Sequence, residues 1–191
     1  VEKGITPVAH VVAMDGIAMI IHPSNPVKDL SVEQIRDIYM GKIKNWKEVG
    51  GADLKIVMVS RDTSSGTYET FEGLVMSKQK IEESCEYVGS NVAVRNRITS
   101  TPGAIGYVEL AYAHQNKLTY ALLKNKAGNY IEPSVESVTA AAAGALKNMP
   151  SDFRIMITNQ PGANAYPISG FTWLLVNPKY DGAKGKALVE F

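Results

Sequence analysis

The sequence predicts an α/β protein with a largely parallel sheet flanked by helices, and three observations carry that prediction. Apolar runs of strand length alternate with runs of helical period along the whole chain. Gly, Pro and Asn turns or Ser caps punctuate the runs, as in Thr101-Pro102-Gly103 and Pro133-Ser134. The length of 191 residues suits one compact domain or two small lobes, with no internal repeat, linker or low-complexity tract.

The first strand runs from His10 to Ile21, bends at Asp15-Gly16 and closes at His22-Pro23. Ser31-Val32-Glu33-Gln34 matches a capping box, and the helix behind it puts Ile35, Ile38 and Tyr39 on one face before stopping near Gly41. Asn45 to Gly51 reads as a turn anchored by Trp46. Lys55 to Val59 is a strand, and the helix after it carries Phe71, Leu74 and Val75 inward with Glu69 and Glu72 toward solvent. A short helix over Asn91 to Ile98 and a strand over Ala104 to Val108 follow. Lys117 to Leu123 is a strand, Ala127-Gly128-Asn129 a turn, and a helix runs from Pro133-Ser134 to Leu146. The small residues Ala140 to Gly144 predict close packing of that helix against the sheet. Strands at Arg154 to Thr158 and Phe171 to Val176, and a last helix from Ala183, complete the set.

The chemistry concentrates in Ser60-Arg61-Asp62-Thr63-Ser64-Ser65-Gly66-Thr67, where a strand passes through a tight polar loop into a helix start. The first N–H groups of a helix have no intrahelical partner and carry the positive end of the macrodipole. Ser64, Ser65 and Thr67 add hydroxyl donors, and Gly66 lets the backbone come close to a ligand. Arg61 adds a planar, permanently charged fork suited to an oxyanion. Ser or Thr before a helix also serves as a plain N-cap, worth about 1 kcal/mol. Local pattern alone therefore leaves an anion seat and a simple cap both open. The motif is not a nucleotide P-loop, since no G-x-x-x-x-G-K-[ST] is present.

Composition excludes several classes. A formal charge of +1, with basic residues dispersed along the chain, gives no nucleic-acid footprint. No apolar run reaches the roughly 20 residues of a membrane-spanning helix. The start at Val1-Glu2-Lys3-Gly4 has no signal-peptide pattern, and the end at Phe191 falls in mid-pattern, which reads as a mature or trimmed chain. Cys85 is alone, so no internal disulfide forms, and it reads as a buried, inert residue. His10, His22 and His114 sit in no metal or catalytic pattern, and no G-x-S-x-G elbow accompanies Ser64 or Ser65. No enzyme, metal or cofactor is expected.

The loop resembles that of the phosphate-binding proteins of ABC phosphate-uptake systems, and further segments agree in the same order. These are Asp15-Gly16-Ile17-Ala18, Leu30 to Ile35, Gly41-Lys42-Ile43, Asn45-Trp46, Thr101 to Tyr107 and Tyr166-Pro167-Ile168. The resemblance spans nearly the whole chain. It implies a periplasmic-binding-protein-like (type II) fold of two α/β lobes that clasp the ligand between them, in a periplasmic or extracellular protein, lipid-anchored or not, that hands phosphate to ABC permease subunits. Carried onto this sequence, Arg61, Ser65, Gly66 and Thr67 match half of the phosphate site, with Ser64 and Asp62 as supporting candidates. Asp62 would steady Arg61, and Ser64 is weaker because capping alone accounts for it.

The family's first-lobe half-site has no counterpart here, so the expectation is one complete lobe plus part of the other. Residues 1–22 would cross over from the first lobe, 23–160 would form the second, and 161–191 would return. The returning strand would then expose an apolar edge open to self-association. Two alternatives stay open: another tetrahedral oxyanion (sulfate, molybdate or tungstate), or a sensory or interaction module reusing the fold.

Overall fold

A computed structural model describes residues 7–146, 150, 155, 157–177 and 185. The strands are β1 (Val8–Ile21), β2 (Asp29–Ser31), β3 (Val57–Arg61), β4 (Glu86–Val88), β5 (Ala104–Glu109), β6 (Leu122–Lys124), β7 (Tyr130–Ile131) and β8 (Ser169–Val176). The α-helices are α1 (Val32–Tyr39), α2 (Gly66–Phe71), α3 (Asn91–Ser100), α4 (Leu110–Gln115) and α5 (Val135–Ala145). A 3-10 turn covers Trp46–Val49, and α2 runs on into a π-helical turn over Glu72–Met76.

The main sheet has the order β4-β3-β5-β1-β8, and a small sheet has the order β2-β6-β7. Pairing of β3 with β4 and β5 is parallel, whereas β1 runs antiparallel to both β5 and β8. The α/β class stands, but the sheet is evenly mixed rather than largely parallel. Strand periodicity carries no direction, so the orientation of β1 was not written in its pattern. β1 serves two neighbours with different halves: Ile17 to Ile21 pair with β5, and Val8 to Gly16 pair with β8 through a register shift between Val11 and Ala13.

Alternation along the central strands builds two cores, one on each face. Ile17, Met19 and Ile21 of β1 with Ile105 and Tyr107 of β5 face the larger core, which holds Tyr39, Trp46 and Phe71. Ala18, Ile20, Ala104 and Val108 face the other, against Val94, Ile98 and Ala113 from α3 and α4. In the large core Phe71 stacks on Tyr107 with centroids 4.0 Å apart, and Tyr39 meets Phe71 edge-on at 4.8 Å. The Tyr39 hydroxyl donates to the Val59 carbonyl at 2.9 Å, so its polar tip is satisfied while its ring is buried.

Several local expectations hold in detail. Ser31 and Gln34 form both halves of the capping box, and Trp46 is fully buried with its indole N–H on the Gly103 carbonyl at 2.8 Å. Gly103 has φ +83 and lies where a Cβ would sit 2.5 Å from the Lys55 carbonyl oxygen, so the turn before β5 requires glycine.

Other expectations need correction. The strand at Lys117 to Leu123 is split. Lys117 takes φ 51 and closes the unforeseen α4, Tyr120 makes one bridge to Ile20, and only Leu122–Lys124 form a true strand, parallel to β2. The six-residue α4 is too short for a helical period to register. At Arg154 to Thr158, residues Ile155, Ile157 and Thr158 lie in no strand, and Arg154 and Met156 lie outside the described residues. The last helix from Ala183 also lies outside them except for Gly185, which is helical. The expected packing of α5 on the sheet holds, against β1 and β8, and Gly144 in its small-residue run also lies close to the segment before β8, where an added Cβ would meet the Pro161 carbonyl oxygen at 2.2 Å.

Candidate functional site

The parallel strands β3 and β5 end at the same edge of the sheet, and the residues that leave those ends line a cavity of about 640 Å³. Ligands of open α/β sheets gather at the carboxyl ends of strands, because the loops there leave a crevice and helix N-termini point into it. Arg61 stands at the end of β3, Glu109 at the end of β5, and Ser65, Gly66 and Thr67 at the start of α2. Asp15 of β1 and Phe171 and Trp173 of β8 line the cavity as well.

The loop before α2 is held by its own short polar side chains. The Asp62 carboxylate accepts from both the backbone N–H and the hydroxyl of Ser64, at 3.1 and 2.6 Å. That hydroxyl bond is the main reason the Asp62 carboxyl sits below the usual carboxylate range. Ser65, not Ser64, is the N-cap: its hydroxyl oxygen accepts from the Tyr68 N–H at 3.4 Å and its carbonyl from the Glu69 N–H at 3.1 Å. The Ser65 proton is still free to donate, because capping uses only the oxygen. A Cβ built on Gly66 meets no atom within 4 Å, and the Gly66 and Thr67 N–H groups belong to a first turn that offers them no carbonyl.

Asn91 hydrogen-bonds the Arg61 side chain, while Asp62 acts on it through charge alone. The Asn91 side-chain oxygen accepts from Arg61 Nη1 at 2.5 Å, and the Arg61 main-chain N–H donates to the Tyr107 hydroxyl at 3.3 Å. The Asn91 amide nitrogen then donates to one oxygen of Glu109, and the Thr67 hydroxyl donates to the other. Arg61 Nε is buried and has no acceptor among the described residues. An unpaired buried N–H costs about 1–3 kcal/mol, more on a charged group, so this nitrogen calls for an acceptor.

The cavity lining is also acidic. Asp15 accepts from the Gly16 N–H at 2.7 Å, yet burial pushes its carboxyl up, and the neighbouring Glu109 adds to that rise. One guanidinium therefore shares the lining with the carboxylates of Asp15, Glu69 and Glu109. Such a cavity does not attract anions by bulk charge. Recognition must come from directed N–H and O–H groups at short range.

The four matched residues Arg61, Ser65, Gly66 and Thr67 come together at one cavity, while Asp62 and Ser64 bond to each other beside it. Reading the sequence missed Asp15, Asn91 and Glu109 as site residues. A signal for Glu109 was available: it is the charged residue that ends an apolar strand at the same sheet edge as Arg61. Asn91 carries no such mark, because a polar residue behind the Ser90 cap is an ordinary helix start.

No group of three or more His, Cys, Asp and Glu side chains among the described residues is placed to hold a metal ion. His22 bonds Ser24 and His114 bonds the Pro133 carbonyl, and burial pushes the Cys85 thiol up to about 12, which leaves it protonated and unreactive. No helix among the described residues is long and apolar enough to cross a membrane.

The family model of the PBP superfamily domain matches residues 2–191. The chain belongs to the PBP superfamily. Within that superfamily it is similar to the phosphate-binding protein PstS of Xylella fastidiosa, at 35% identity over 205 residues, covering 94% of this chain and 56% of the relative. PstS of Bacillus subtilis is 43% identical over 112 residues, covering 59% of this chain and 37% of the relative. A crystal structure from Clostridium perfringens, assigned as a phosphate ABC transporter substrate-binding protein and holding bound phosphate, superposes with a TM-score of 0.73 at 27% identity. It covers 99% of this chain, which covers 65% of it. The chain thus spans about half the length of the curated PBP-superfamily relatives it matches.

Proposed function

We propose that this chain supplies one half of an inorganic phosphate site, made by Arg61, Ser65, Gly66 and Thr67, in a protein that delivers phosphate to an ABC permease. The observation that carries the reading is the buried Nε–H of Arg61, which has no acceptor among the described residues although the side chain lines a cavity shared with the Ser65 hydroxyl and the start of α2. A tetrahedral oxyanion offers several acceptors at once. One oxygen takes the guanidinium, and others take the Ser65 hydroxyl and the Gly66 and Thr67 amides of the first helical turn. The names of the relatives supply the identity of the anion and the transport role. The chemistry is binding and release, with no bond made or broken, in a periplasmic or extracellular setting.

The second half of the site would come from a lobe beyond this chain. β1 is read as the crossover, since its Ile17 to Ile21 half is buried beside β5 while Val8, Val12 and Met14 in the other half are exposed. Closure of two lobes would expel water and strengthen each charged hydrogen bond.

Isothermal titration of the chain with phosphate, with sulfate as control, tests the reading. Weak binding by the chain alone, made tight when the remaining lobe is supplied, is the expected result. Sub-micromolar affinity of the chain alone overturns the half-site, and no phosphate binding even in the completed protein overturns the phosphate assignment. In the completed protein Arg61→Ala should weaken phosphate binding roughly 10- to 100-fold, the worth of one or two charge-assisted hydrogen bonds.

A further inference from the structure

Glu109 has no place in the four-residue phosphate reading, yet both of its oxygens are used. One takes the Thr67 hydroxyl and the other takes the Asn91 amide nitrogen, whose partner oxygen in turn accepts from Arg61 Nη1 at 2.5 Å. We propose that Glu109 and Asn91 are the positioning residues of the anion site, a polarity relay in which the Glu109 carboxylate fixes which way the Asn91 amide faces and thereby presents Arg61.

Donor and acceptor chemistry fixes the direction of each bond in this network. A carboxylate can only accept, an Arg side chain can only donate, and a side-chain amide does one at each end. Asn91 lies between an acceptor and a donor, so a single orientation satisfies both: nitrogen toward Glu109, oxygen toward Arg61. The same carboxylate takes the Thr67 hydroxyl, and this sets the rotamer of a residue whose amide lies in the first turn of α2. Glu109 therefore ties β5 to the starts of both α2 and α3, and Asn91 carries its polarity across to the end of β3. Neither residue has to touch the anion. A network with every member satisfied rigidifies what it holds, whereas one mismatch frees it.

Glu109→Met makes that mismatch, because it removes the acceptor and leaves nothing to fix which way the Asn91 amide faces. Glu109→Gln alone would not, since the Thr67 hydroxyl can accept as well as donate and the glutamine can turn its oxygen to Asn91 and its nitrogen to Thr67. Combining Glu109→Gln with Asn91→Asp keeps every pairing at unchanged net charge. The aspartate accepts from both the new glutamine and Arg61, and Thr67 still donates to position 109.

The inference deepens the phosphate reading and rests on it for its consequence, so the test has two arms. In the first, without any anion, the 15N and 1H signals of the Arg61 guanidinium are followed by NMR, identified by their loss in Arg61→Lys. Slowly exchanging signals are expected in the parent chain, absent in Glu109→Met and present in the exchanged pair. In the second arm, phosphate titration of the completed protein should weaken about tenfold in Glu109→Met and stay within about twofold of the parent in the exchanged pair.

Unchanged Arg61 signals in Glu109→Met overturn the relay, and so does an exchanged pair that lacks them. If Glu109→Met does not fold, the exchanged pair must still fold with parent-like Arg61 signals, or the relay is wrong. Absence of phosphate binding in every form refutes the function proposed above while the first arm still decides the relay.

Discussion

Asp15 shows how one side chain in the cavity wall is tuned by its surroundings. Burial opposes its charge and Glu109 adds to the effect, while the backbone N–H groups of Gly16 and Leu110 act against both. A carboxyl whose native pKa is raised binds its proton more tightly folded than unfolded. Its contribution to stability is complete below the ordinary value and is lost as pH rises through the native value. Asp15→Asn keeps an oxygen for Gly16 and removes the charge. The variant should therefore be more stable than the parent at pH 7, with the difference vanishing below about pH 4, the ordinary carboxylate range. Urea midpoints at the two pH values measure this, and equal midpoints at pH 7 would contradict it. Glu86 behaves with the opposite sign. Its two bonds from Arg97, at 2.5 and 2.6 Å, hold its carboxyl below the usual range. Its stabilisation is present above the unfolded value and lost as pH falls through the native one. With both side chains 41% exposed, solvent screens the pair, so Glu86→Gln should cost only about 0.5–1 kcal/mol at pH 7 and nothing in strong acid.

At the scale of elements, α5 illustrates a conflict that magnitudes decide. Alanine is the better helix former, and replacing Gly144 would gain up to about 1 kcal/mol from propensity alone. A Cβ there would lie 2.2 Å from the backbone oxygen of Pro161, which is no flexible side-chain end and cannot swing away. Overpacking of this kind costs about 1–3 kcal/mol or more, so Gly144→Ala should be net destabilising in a thermal melt despite the favourable propensity. The start of α2 shows a related division of labour. Ser65 serves the helix through its oxygen and retains its proton for a ligand, which lets one residue be both a cap and a binding group. This is why capping and anion binding could not be separated by pattern: the same atoms satisfy both.

Across the whole molecule, the segment before β8 is tied down by residues far away in sequence. Asn125 is buried, donates to the carbonyls of Gly162, Ala163 and Ala165 at 3.0–3.2 Å, and accepts from the N–H groups of Ala127 and Asn129. Tyr166 adds a bond from its hydroxyl to the Ile17 carbonyl at 2.8 Å, joining residues 149 apart. Asn125→Ala strands buried groups on both sides of that junction and should cost about 2–4 kcal/mol. A chemical-denaturation curve shifted by less than 1 kcal/mol would show that the junction is held by packing alone. The sequence by itself determined the α/β class, the capping box at Ser31, the buried Trp46 anchor and the loop from Arg61 to Thr67, because each is a local pattern whose physics is complete within a few residues. It could not determine the antiparallel course of β1, the splitting of the strand after α4, or the union of Asp15, Asn91 and Glu109 with Arg61. Those depend on which strand ends meet at one edge of the sheet. Side chains from β1, β3, β5 and the starts of α2 and α3 become neighbours only when the tertiary structure brings them together, and the pairing of donors with acceptors is decided there.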